Sequence, residues 1–221
     1  MTDTNNLIAQ LAQDTKPAKP AFKPFNQVLV LLGILSLYAF GAQLYLGLRP
    51  DLINRLTDFW FEAEITALWF LILTSAFASI AAMAPDAYQK PIALKLPYIV
   101  FAALILILGY QLMTNGELAS HPLGSIMQKV IDTHGMECSI CIALISMVPS
   151  AFVFALIKRG ASVRPFMAGS FAVFTAAGIG CLTLRLAEPN DSLLHMVQWH
   201  YLPTLCLAII GAYLGKWLLK W

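Results

Sequence analysis

Residues 26–48 read NQVLVLLGILSLYAFGAQLYLGL, with no charged side chain anywhere in the run. Wound as a helix at about 1.5 Å per residue, such a run is long enough to cross the roughly 30 Å hydrocarbon layer of a bilayer. In lipid the backbone must satisfy its own N–H and C=O groups, so the run is expected to be helical. Five further apolar runs follow, at about 60–83, 96–113, 139–157, 166–186 and 197–218. The loops between them are short. The expectation is an all-α fold, a six-transmembrane-helix bundle occupying residues 26–221, with a short segment at 1–25 ahead of it.

Composition agrees. The chain has 221 residues, 59% of them hydrophobic and 12% charged, where a soluble domain carries about 25% charged residues. No stretch outside the apolar runs could bury a core, so no large soluble domain is expected. A net charge of +2 offers no electrostatic footprint for nucleic acid. The first apolar run follows a polar stretch, is about twice the length of a signal-peptide core, and has no small-x-small cleavage site ahead of Gln43, so it should stay as a helix.

Lysine and arginine orient the bundle. Lys16, Lys19, Lys23, Lys90, Lys95, Lys158, Arg159, Arg164, Lys216 and Lys220 fall on one side, ten in all; Arg49, Arg55, Lys129 and Arg185 fall on the other, four in all. The positive-inside rule then puts both termini in the cytoplasm.

With that topology, the segment HGMECSIC at 134–141 lies in the outer loop between the third and fourth helices. His121 is in the same loop. His195 and His200 stand at the outer start of the sixth helix, with Cys206 about two turns below, and Cys181 is in the outer part of the fifth. All four histidines and all four cysteines therefore gather in the outer half. If 134–141 already begins a helix, His134, Cys138 and Cys141 share one face at i, i+4 and i+7. The helix dipole favours a thiolate there, while Glu137 opposes it. The thiolate is the form that is oxidised and that binds soft metals. Cys138, Cys141 and Cys181 are the candidate sensing thiols. His134, Cys138, Cys141 and His195 are the candidate ligands for Zn, Cu or Cd, whose binding would weaken at low pH. The opposing reading is a set of structural thiols and interfacial histidines. Glu62 and Glu64 lie in the outer part of the second helix; such carboxylates are functional suspects, or else partners for Arg185 or residues that snorkel to the interface.

The tail carries Leu7, Ile8 and Leu11 as a short apolar stripe at helical spacing, with Asp3 or Thr4 as an N-cap. Pro17, Pro20 and Pro24, interleaved with lysines, make a stiff spacer. A helix of about ten residues does not hold alone in water, so the stripe is expected to fold into a partner's groove or to lie on membrane lipid.

Four stretches carry a resemblance to a known family. LIAQLAQDTKPAKP (7–20), LGLRPDL (46–52), Cys141 followed by an apolar helix with Pro149 and then RGASVRPFMAG (159–169), and EPNDSLLHMVQWHYL (188–202) resemble, in order and spacing, the NrsF-type polytopic anti-sigma factors. The resemblance implies a bacterial inner-membrane protein with no catalytic residues and no required cofactor. Its cytoplasmic N-terminal segment would hold an extracytoplasmic-function sigma factor, and outward-facing cysteines would answer heavy metals or oxidants. Cys141, or Cys138 beside it, matches the first of the family's two cysteines. The second is expected just ahead of EPND, where this chain has Ala187; Cys181 lies nearly two turns earlier. A reading from another class is a DsbB-like thiol oxidoreductase that passes electrons from Cys138 and Cys141 to a quinone.

Overall fold

The computed structural model describes residues 24–84, 87–89, 91–114, 135–160 and 162–219, with isolated positions 4, 6 and 8 in the tail. Among these residues the fold is helical, with no strand. Six helices are long and apolar enough to cross a membrane. They are α1 (Pro24–Leu46), α2 (Phe59–Ala81), α3 (Pro91–Thr114), α4 (Met136–Ile157), α5 (Pro165–Ala187) and α6 (Leu193–Leu218), the last continuous through a π-helical segment, Met196–Tyr201. The chain is a multi-pass membrane protein.

The boundaries follow local chemistry more than hydropathy. α1, α3 and α5 each begin on a proline, which suits a first turn whose N–H groups have no helical partner. α3 therefore starts at Pro91, a turn and a half before the apolar run near 96, and keeps Lys95 inside the helix. α6 starts at Leu193, where the Ser192 side chain caps the His195 N–H. Asp58 caps α2 by accepting from the Trp60 N–H at 3.0 Å. Pro97 and Pro149 lie inside α3 and α4 without ending them.

α5 is the axis of the bundle. It packs most heavily on α6, α4 and α2 and also touches α1 and α3. Every residue from Ala168 to Arg185 is buried. Its small residues make this possible. In lipid, helices gain little from hiding apolar surface and associate through close packing at Gly, Ala, Ser and Thr. At one end a glycine seam brings α5 against α6. A Cβ on Gly169 would sit 2.2 Å from the Gly211 carbonyl oxygen, and one on Gly215 would sit 2.3 Å from the Pro165 carbonyl oxygen. Further along, Phe171 and Phe174 meet Tyr98 and Phe101 of α3. The outer faces of the other helices carry large exposed apolar side chains, among them Leu37 and Leu44 of α1, Leu106 and Met113 of α3, and Tyr213 and Trp217 of α6, as a lipid-facing surface requires.

Candidate functional site

The polar chemistry collects at one end of the bundle, where α1 leads to α2, α4 begins and α5 turns into α6. The turn after α1 is tied to the end of α5 by the Arg49 N–H, which donates to the Leu186 carbonyl at 2.9 Å. The Arg49 side chain is buried and forks onto Asp51 at 2.7 Å and Asp191 at 2.9 Å. Arg55 also reaches Asp191, and pairs with Asp58 at 3.0 Å. Arg185 is bonded to Asp191 at 2.9 Å and to Glu64 at 3.1 Å. Tyr201 donates its hydroxyl to the other oxygen of Glu64. Phe61 lies beneath both buried guanidiniums, its ring 4.7 Å from that of Arg185 and 5.5 Å from that of Arg49. Two stretches that stood apart in the sequence, LGLRPDL and EPND, are thus halves of one ion-pair network. Glu64 is the partner of Arg185.

Burial alone would raise the Asp191 carboxyl, but hydrogen bonds from Arg49, Arg185 and Arg55 outweigh it and hold the group well below the usual carboxylate range. The Arg49 hydrogen bond likewise lowers Asp51, while those two aspartates raise Arg49. A depressed native pKa gives stability that is full above the unfolded value, near 3.9, and is lost only as pH falls through the folded one. Asp191→Asn should therefore lower the melting temperature of the solubilised protein by the same amount at pH 7 and at pH 5. A difference that shrinks across that window would show the carboxylate is not so held.

Beside this network stands a second group. Glu188, the first residue after α5, receives three side chains. The Cys138 thiol, in the first turn of α4, donates to its Oε2 at 3.3 Å. His200 Nε2 lies 3.2 Å from the same oxygen, and His195 Nε2 lies 3.2 Å from Oε1. The four ligand atoms all fall within 4.8 Å of one another. His200 is buried, and the other three are part-buried. Burial raises the Glu188 carboxyl, but the hydrogen bond and charge of His200 outweigh that and leave it lowered. Close approach holds the cluster together. Ser139 donates to the Trp199 carbonyl at 2.7 Å, and a Cβ on Gly135 would collide with the Trp199 ring at 2.2 Å. The beginning of α4 is thereby pressed against the π-helical turn of α6.

Of the expected thiols and ligands, Cys138 and His195 meet in this cluster. Cys141 is part-buried on α4 and is not among the four. Cys181 is buried within α5, 2.9 Å from the Thr204 hydroxyl and 3.6 Å from the His200 carbonyl. Cys206 is exposed on α6. His134, like His121, Leu7 and Leu11, lies outside the described residues; Ile8 is exposed. The group that faces Cys138 is a carboxylate, not a cation of the kind that activates a thiol, so the dipole effect read from sequence is opposed here. Glu188 is a member that the ligand types and spacings of the sequence do not include. Its signal is position: it directly follows Ala187, where the resemblance leads one to expect a second cysteine. α-Helical spacing does not pair His200 with His195. In an α-helix residues five apart diverge by roughly 140° at about 100° per residue, whereas π-type i→i+5 bonding brings them to one side. The two rings stand 5.4 Å apart.

No solved structure matches this chain. Among curated proteins, the anti-sigma-F factor NrsF of Caulobacter vibrioides (strain NA1000 / CB15N) is 24% identical over 225 residues, covering 99% of each chain. The sequence model of the family described as NrsF, negative regulator of sigma F, matches residues 11–221. That match takes in all six helices, the arginine–aspartate network and the Glu188 cluster, and the chain belongs to the NrsF family of anti-sigma factors.

Proposed function

We propose that this protein holds a sigma factor of the extracytoplasmic-function type at the bacterial inner membrane and lets it go when its outer end receives a chemical signal. The observation that carries the reading is the match to an anti-sigma-factor family along nearly the whole chain. Residues 1–25 act as a cytoplasmic partner-binding segment, with Leu7, Ile8 and Leu11 entering a groove of the sigma factor. Both termini are cytoplasmic, as the lysine and arginine bias favours, so the Glu188 end faces the periplasm. The signal is a heavy metal or an oxidant acting at the thiols and histidines of that end, in particular at Cys138. The protein acts as a regulator rather than an enzyme. A thiol-to-quinone relay needs a second thiol pair at the same end, and neither Cys181, packed on Thr204, nor the exposed Cys206 supplies one.

The test is a pull-down with the full-length chain and with a chain lacking residues 1–24. The full-length chain should retain a sigma factor and the truncation should lose at least nine-tenths of it. Equal retention by the two would sink the tail's role, and retention by neither would sink the partner.

A further inference from the structure

We propose that Cys138, Glu188, His195 and His200 form a mononuclear site for a divalent cation of borderline softness, Zn(II) or Cd(II). The ligand set extends the sensor reading above and rests on it only for its meaning to the cell, since metal binding is measured without a sigma factor.

Three observations carry it. The first is spacing. Zinc bonds of about 2.0–2.3 Å in a tetrahedron place ligand atoms roughly 3.3–3.8 Å apart. Here Glu188 Oε2 lies 3.3 Å from the Cys138 sulfur and 3.2 Å from His200 Nε2, Glu188 Oε1 lies 3.2 Å from His195 Nε2, and with one ligand atom per residue no pair among the four exceeds 4.8 Å. Inward shifts of about 1 Å or less complete the coordination sphere. The second is the donor set. One sulfur, one carboxylate oxygen and two imidazole nitrogens suit zinc and cadmium; magnesium and calcium take oxygen donors instead. The third is construction. The donors come from three helices, with Cys138 on α4, Glu188 at the end of α5 and both histidines on α6. Their positions are set by the Ser139–Trp199 hydrogen bond and by the close approach of Gly135 to the Trp199 ring, contacts that do not involve the four donors.

Binding is a ligand exchange. The Cys138 S–H proton leaves to buffer, its hydrogen bond to Glu188 is replaced by a sulfur–metal bond, and the carboxylate that held both imidazoles becomes their neighbour on the metal. No electron is transferred.

The experiment uses the full-length chain in detergent micelles, stripped with chelator and titrated with Cd(II) and with Zn(II) alone. One equivalent should bind, with the ultraviolet charge-transfer intensity of a single Cd–S bond. Cys138→Ser should abolish that band. His195→Gln and Glu188→Gln should each weaken binding at least tenfold, whereas Cys141→Ser and Cys206→Ser should bind as the parent does. Should Glu188→Gln fail to fold, His195→Gln and the one-sulfur intensity of the parent still decide the matter. A two-sulfur band, or loss of binding in Cys141→Ser with none in His195→Gln, assigns the ion to the Cys138–Cys141 pair and overturns the proposal, as does the absence of saturable binding. Sigma-factor retention measured with and without Cd(II) is a separate readout. A chain that binds the ion through these four residues yet keeps its sigma factor would refute the sensor reading and leave the site standing.

Discussion

Arg185→Ala should destabilise the bundle by about 3–5 kcal/mol, the cost of leaving one member of a buried ion pair without its partner. Arg185 and Glu64 have side chains only 6% and 4% exposed, so water cannot take over. Glu64→Ala should cost a similar amount, because the guanidinium then keeps Asp191 and the Asn190 carbonyl but loses its second carboxylate, and the Tyr201 hydroxyl loses its acceptor. The pair is not thereby a large net source of stability. Replacing both members with apolar residues of similar volume, Glu64→Leu with Arg185→Met, should recover much of the loss. Thermal unfolding in micelles of Glu64→Leu, of Arg185→Met and of the variant carrying both reads this as a coupling. Additive losses in the double variant would mean that the two side chains do not act on each other. What the pair does supply is register: it joins α2 to α5, and Tyr201 adds α6.

Gly169→Ala and Gly215→Ala should be the other large losses. In each the new methyl would meet backbone, the Gly211 carbonyl at 2.2 Å in the first case and the Pro165 carbonyl at 2.3 Å in the second. No rotamer change relieves such a contact, so α5 and α6 must separate along their length. Overpacking a well-filled interior costs about 1–3 kcal/mol and at times more, and these sites belong at the upper end. The internal comparison is Gly33→Ala and Gly109→Ala, where nothing lies within 4 Å of the new atom. Those changes should be neutral or should stabilise by up to about 1 kcal/mol, since alanine is the better helix former. Equal effects at all four positions would show that the seam is not a close backbone contact.

The six spans and their order are legible in the sequence, because charge is scarce and its few occurrences mark the helix ends, and so is the placing of Cys138, His195 and His200 at one end. Which face of each helix turns inward is not. In a soluble protein apolar periodicity gives that answer, but a membrane helix is apolar on every side, and lipid and core look alike to hydropathy. The signal that α5 is the centre lies in its small residues, Gly169, Ser170, Gly178 and Gly180, read against the bulky outer faces of α1 and α3. The site was half legible for a different reason. Cys138 and His195 could be singled out by residue type. Glu188, next to Pro189 in a connecting stretch, has no spacing relation to Cys138 in the sequence, and the link between His195 and His200 depends on a π-helical turn whose spacing no α-helical template contains. Asp191, on which three arginines converge, gives no periodic signal because Arg49 and Arg55 come from the connection after α1 and Arg185 from the end of α5.

The place of α5 in the order of synthesis matters as much as its place in the bundle. Four spans leave the ribosome before it, and three of those it touches most or next most closely, α4, α2 and α1, are already made when Pro165 is added. Until then Leu71 and Ile72 of α2, and Ile142 and Ser146 of α4, wait without the glycines they later meet, Gly178 and Gly180. The early spans thus enter the bilayer without their common neighbour, with contacts such as α2 on α3 and the Tyr38 hydroxyl of α1 on the Ile145 carbonyl of α4 available to them. A single late helix then displaces lipid from all of them at once, and α6 closes behind it. A chain cut short of Pro165 would keep four insertable spans and lose the helix that α1, α2 and α4 pack against most.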